Sequence, residues 1–156
     1  MPKAQYRHAQ AELPGRGATI LVDVGLPPIK VLPSTMQPQR HKTAIIDTSS
    51  ELSWVDGPIL KALGLTPSIV DVVQTHFGTV ETGIFSVAMT VHFDDTPFFI
   101  PVIQVCAGQM REVDYKVVLG RNVLRYGVLN YQGSVGTWTL DFADTFTVRG
   151  AKDIDF

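Results

Sequence analysis

The heptapeptide Ala44-Ile45-Ile46-Asp47-Thr48-Ser49-Ser50 is where residue type and spacing first suggest chemistry. An Asp that ends an apolar strand and enters a turn of small hydroxyl residues is held rigidly by the strand. The turn exposes it, and amides and hydroxyls there can bond its oxygens. The same seven residues equally suit an Asx-type turn in which Asp47 only caps the amides that follow it. Other chemistries find less support. His8, His41, His76 and His92 contain no i, i+4 pair and no His-Glu-x-x-His arrangement, which reads as ordinary surface or turn histidines and no metal site. Asp94-Asp95 runs directly into Thr96-Pro97, a solvated turn. No Gly-x-Ser-x-Gly elbow exists for a serine nucleophile. Gly127, Gly133 and Gly136 are spaced for hairpin turns, without the strand, glycine loop and helix order that cradles a phosphate.

The elements that must carry Asp47 read as β. Residues 18–26 are rich in β-branched side chains and stop at Pro27-Pro28; residues 43–50 form a short apolar strand entering a polar turn. The stretch 27–42, with four prolines, reads as a long loop with one short strand near Ile29–Leu32. Trp54, Ile59, Leu60, Leu63 and Leu65 recur at near-helical spacing, with Pro58 favouring a helix start and Gly64 a stop. Strands follow at 68–76 and 79–93 around a hairpin tip at Phe77-Gly78, then at 98–107. Gly108–Asp114 is a polar connection, 115–120 a buried strand, and 121–127 a short helix closed by Gly127. A final hairpin ends in 137–142, where Thr137, Thr139 and Asp141 alternate with Trp138, Leu140 and Phe142. The expectation is an all-β closed or sandwiched domain of about eight to ten strands with one or two short helices. The organisation expected is an arm at 1–17, one domain at 18–142 and a tail at 143–156.

A chain of 156 residues suits one core. Thirteen Lys and Arg against fifteen Asp and Glu give a net charge of −2, with no electrostatic case for nucleic acid or an anionic membrane. The single Cys106, between Val105 and Ala107, excludes an internal disulfide and reads as a buried thiol in a reducing compartment. No apolar run approaches the roughly 20 residues of a membrane helix, and the first residues lack a signal-peptide core, so a cytoplasmic setting is expected.

A second segment bears on Asp47: Val117-Val118-Leu119-Gly120-Arg121-Asn122-Val123-Leu124 is an apolar strand, a glycine and a short helix. Taken in order with the Asp-Thr turn, a glycine-tipped hairpin and a long apolar strand between them, it resembles the retropepsin-like aspartic proteases over about residues 18–142. The ending Gly127–Phe142 is also similar to bacterial and retrotransposon members. The resemblance implies a small acid-protease barrel that works as a homodimer on peptide or protein substrates, without metal or cofactor. Each subunit would give one catalytic Asp, here Asp47, to a site on the two-fold axis. Two carboxylates about 3 Å apart share one proton; the charged one activates water and the protonated one polarises the scissile carbonyl. Thr48 matches the Thr that braces the pair across the dimer. Ser49 and Ser50 fall on the substrate-binding turn, with Ser49 standing where the family has Gly, a residue that lets substrate backbone lie close. Phe77, Gly78 and Thr79 match the flap that closes over a peptide. Glu51 and Arg121 match an ion pair beside the turn, with Gly120 supporting it, and Ile84, Trp54 and Val118 are expected to line subsites. The alternative is a domain that keeps this fold and, because of Ser49, serves as a dimerisation or peptide-binding module. A further alternative is an unrelated β-barrel binding protein in which Asp47 is a turn cap.

Overall fold

The computed structural model describes residues 3–7, 17–28, 37–75, 78–94 and 96–142. Ten strands carry it: β1 (Lys3–Arg7), β2 (Thr19–Gly25), β3 (Gln39–Ile46), β4 (Ser53–Asp56), β5 (Ile69–Thr75), β6 (Gly78–His92), β7 (Pro97–Gly108), β8 (Val117–Leu119), β9 (Gly127–Gln132) and β10 (Thr137–Phe142). Two short helices, α1 (Gly57–Ala62) and α2 (Arg121–Leu124), interrupt them. Six strands hydrogen-bond in the order β2-β3-β8-β4-β7-β6, and a β2–β6 pairing returns the sheet to its start, closing a barrel. Closure leaves these six without the unpaired edge an open sheet would present. β1, β10 and β9 form a separate three-stranded sheet.

Period-two burial shows why these segments are strands. Along β2, Ile20, Val22 and Val24 are buried while Leu21 and Asp23 turn outward. β10 alternates from Trp138 on and sends Trp138, Leu140 and Phe142 inward, while β6, whose register with β7 shifts between Val87 and Met89, buries Val87, Met89 and Val91. Each such side chain contributes about 1.5–3 kcal/mol on leaving water. Phe142 stacks edge-on against Phe98 with centroids 5.0 Å apart and also meets Phe93 at 5.0 Å, an arrangement suited to the ring quadrupoles.

Four expectations change. The helical spacing that begins at Trp54 belongs to two elements: Ser53–Asp56 is β4, clamped parallel to β7 and antiparallel to β8, and only Gly57–Ala62 is helical. β4 is buried on both faces, so its apolar run has no strand period to read. Pro58 does open α1, and Gly64 follows its end at φ +67°. Lys3–Arg7, expected within an arm, pairs antiparallel with β10. β3 begins at Gln39, inside the expected loop; the short strand expected at Ile29–Leu32 lies outside the described residues. In the β5–β6 hairpin Thr75 pairs with Gly78, so Gly78 belongs to a strand rather than to the hairpin tip; Phe77 lies outside the described residues.

Among the described residues no helix is long and apolar enough to cross a membrane.

Candidate active site

Asp47 follows the last residue of β3, and its amide donates to the Leu119 carbonyl at 3.0 Å, which ties the start of the turn to β8. β8 lies between β3, to which it is parallel, and β4, to which it is antiparallel. The chain therefore leaves β3, turns through residues 47–52 and returns as β4 on the far side of β8. Everything behind the turn fixes its path. The Arg121 amide donates to the Ser50 carbonyl at 2.8 Å, and the Asn122 amide to the Glu51 carbonyl at 3.2 Å. Ser53 is fully buried; its hydroxyl accepts from the Gly120 amide at 2.9 Å and donates to Asn122 Oδ1 at 2.7 Å. Asn122 Nδ2 donates onward to the Gln104 carbonyl of β7 at 2.8 Å. Gly120 is required by space: a Cβ there would stand 2.8 Å from the Ser50 carbonyl oxygen and closer still to Leu52.

Inside the turn, two hydrogen bonds to the Asp47 carboxylate fall on Oδ1. The Ser49 amide donates at 2.9 Å and the Ser49 hydroxyl at 2.5 Å. The amide bond is the Asx-type contact the sequence allowed, so Asp47 caps its own turn. Ser50 faces the other way, donating to the Leu52 carbonyl at 2.6 Å and accepting from Trp54 Nε1 at 3.2 Å.

The turn opens onto a cavity of about 360 Å³. Asp47, Ser49, Ser50, Trp54 and Val118 line its floor side, and Gln74 and Thr75 of the β5–β6 hairpin reach it from above. Thr48 is exposed and does not line it, and neither do Gly78 and Thr79, which open β6. Gly78 adopts φ +116° directly after the turn, a backbone that glycine reaches without strain. Ile84 is buried in the sheet rather than lining the cavity. Met110, Val113 and Tyr115 also line it. They lie in and just after the connection read as merely polar, where no periodicity marks a residue as facing a site. Buried Asp56 shapes that connection, since its Oδ1 accepts from the Met110 amide at 3.0 Å.

The ion pair expected between Glu51 and Arg121 is not formed. Arg121 Nη1 instead donates to the Thr48 carbonyl at 3.0 Å, and both side chains are exposed. Backbone already ties residue 51 to residue 122, so the guanidinium is free to satisfy the turn's own carbonyl. Cys106 is buried on β7; burial, with a smaller contribution from the Glu51 charge, pushes its thiol up to about 11 and leaves it protonated at neutral pH.

No family model matches the sequence. An uncharacterized J domain-containing protein, C63.03, of Schizosaccharomyces pombe is 28% identical over 131 residues, which cover 77% of this chain and 20% of that protein. The chain thus spans about a fifth of the length of the curated relative it matches. Among solved structures, a simian foamy virus protease gives a TM-score of 0.43 at 13% identity, over 70% of this chain and 93% of the other. A retropepsin-like aspartic protease from Rickettsia conorii gives 0.50 at 12% identity, over 88% of this chain and 89% of the other. The closed barrel with its few short helices is thus similar in fold to a retropepsin-like aspartic protease.

Proposed function

We propose that this chain is one subunit of an aspartic endopeptidase that cleaves extended peptide segments with a water activated between two Asp47 carboxylates. The observation that carries this reading is the lone carboxylate on the floor side of a hairpin-roofed cavity. Asp47 is the only carboxylate among the described residues lining it. Aspartic chemistry needs a charged carboxylate as base and a protonated one as acid, so the second must come from another copy of the chain. The likeness of the fold to a retropepsin-like protease supports the same arrangement.

In this mechanism β3 and the turn-supporting bonds from α2 hold each Asp47 in place, and Thr48 braces the pair across the two-fold axis. A substrate strand lies between the turn and the β5–β6 hairpin, adding to it through backbone hydrogen bonds. The water attacks the scissile carbonyl while one Asp47 takes its proton and the other donates to the carbonyl oxygen. The resulting tetrahedral diol collapses as the leaving nitrogen is protonated.

A second reading rests on Ser49, whose hydroxyl occupies Asp47 Oδ1. A carboxylate engaged this way is less open to a water and to its twin, which suits a module that dimerises or binds peptide without cutting it. Cleavage of a broad peptide library between mildly acidic and neutral pH separates the two. The endopeptidase gives an acid-side bell-shaped profile, because the shared proton exists only between the pair's two apparent pKa values. Asp47→Asn should lower kcat/KM by about 10²–10⁴-fold or more with the fold intact. Ser49→Gly should raise it by freeing Oδ1. If neither wild type nor Ser49→Gly cleaves, the binding module stands; equal cleavage by Asp47→Asn assigns the chemistry elsewhere.

A further inference from the structure

Asp23, His41 and His92 are far apart in sequence, yet barrel closure gathers them. β2 pairs with β3 on one side and β6 on the other. Asp23 sits on β2 where its register with β3 shifts between Val22 and Val24, an irregularity of the kind that re-aims side chains. One candidate ligand atom from each of the three residues lies within 4.8 Å of the other two. The group is separate from the candidate active site. His41 lies near the start of β3 and Asp47 just past its end, about 20 Å along an extended strand. Nothing in this inference depends on the proteolytic reading.

Two features point to a ligand rather than a chance grouping. His92 Nε2 is shielded from solvent and makes no hydrogen bond of acceptable geometry, although it lies 2.9 Å from Asp23 Oδ1. A shielded ring nitrogen left this way is uncommon, and its contact with Asp23 Oδ1 sets two prospective ligand atoms side by side. Secondly, His41 holds φ +55°, a backbone a histidine seldom adopts, and its amide is pinned to Asp23 Oδ1 at 2.8 Å. Strain of this type persists where the surroundings enforce it and gathers at functional positions.

We propose that Asp23, His41 and His92 form a binding site for one divalent transition-metal ion of the zinc type. Two imidazoles and a carboxylate are a donor set for such ions, leaving at least one position for water. Tetrahedral ligands at about 2.0–2.1 Å lie about 3.4 Å apart, so the donors draw together by roughly an ångström, a side-chain adjustment. Bound there, the ion would cross-link β3, β2 and β6. The beginning of an adjoining groove, which Asp23 and Arg40 line, meets the site. Arg40 and Lys42 flank His41 in sequence and oppose a dication, so micromolar rather than nanomolar affinity is expected.

The test uses the full chain stripped with chelator, titrated with Zn²⁺ by calorimetry and with Co²⁺ by visible absorption. One ion per chain and an upward shift in melting temperature are expected. His41→Asn removes the imidazole while asparagine tolerates the left-handed backbone; His92→Gln removes the second ring. Each should weaken binding by about tenfold or more and abolish the thermal shift, whereas Asp47→Asn should bind like wild type. His41 is exposed, so a folded His41→Asn protein is expected, and its metal-free melting curve checks this. Absence of binding at micromolar Zn²⁺ overturns the proposal, as does binding that survives both histidine substitutions.

Discussion

Arg121 illustrates how a side chain of the expected type can act through a different partner. It reaches the turn that carries Asp47, but it bonds the Thr48 carbonyl rather than the Glu51 carboxylate. The consequence for stability is measurable. A charged donor on an exposed carbonyl contributes about 0.5–1.5 kcal/mol, less than a buried ion pair would. Arg121→Ala should therefore lower the stability modestly, by about 1 kcal/mol. Glu51→Ala should stay within about 0.5 kcal/mol of wild type. A double-mutant cycle by urea denaturation should show no coupling above about 0.3–0.5 kcal/mol. Coupling well beyond that would restore the ion pair. In the mechanism proposed above Ser49 has the larger weight, because its hydroxyl meets the Asp47 oxygen that mechanism uses.

The turn between β3 and β4 gets its shape from α2 and β8 rather than from its own residues. Gly120 is the hinge of this dependence, since any Cβ there meets the carbonyls of Ser50 and Leu52. Gly120→Ala must push the turn away or displace α2, and overpacking of this kind costs about 1–3 kcal/mol. At about 2–4 °C per kcal/mol for a chain this size, thermal unfolding should fall by several degrees. Peptide binding or cleavage should fall as well, because the Asp47 turn moves. An Ala variant that melts like wild type would mean that the approach of α2 to the turn is looser than described. The β5–β6 hairpin is the opposite case. Along β5 only Val73 is buried, while Ile69, Val70 and Val72 are exposed. With so little apolar burial the hairpin is the part of the barrel that opens at least cost, which suits a roof that must admit a peptide.

Among the described residues one carboxylate lines the cavity, so the mechanism proposed above requires a second copy of the 17.1 kDa chain. Sedimentation at increasing micromolar concentration should show mass rising toward a dimer. Asp47→Asn, which removes no volume, should dimerise like wild type. A strictly monomeric species over the whole range, with no cleavage, would remove the basis for the paired-Asp47 mechanism. Exposed apolar residues on the hairpin and on β9, such as Val128 and Tyr131, are surfaces a partner copy could cover.

The local chemistry was legible in the chain itself. β-Branched content gave away β2 and alternation gave away β10, Pro58 and Gly64 bounded α1, and the Asp47 turn and the Gly120 segment could be named as a pair. These signals survive because they rest on backbone propensity and on burial of one face, both written in adjacent residues. What tertiary structure alone decided are matters of contact between distant segments. β4 is a strand because β7 and β8 clamp it, Arg121 chooses Thr48, and Met110, Val113 and Tyr115 reach the cavity because Asp56 holds their connection. Asp23, His41 and His92 meet only when β2 pairs with β3 and β6 at once and closes the barrel. No spacing rule along the chain can register a contact whose partners are brought together by that closure.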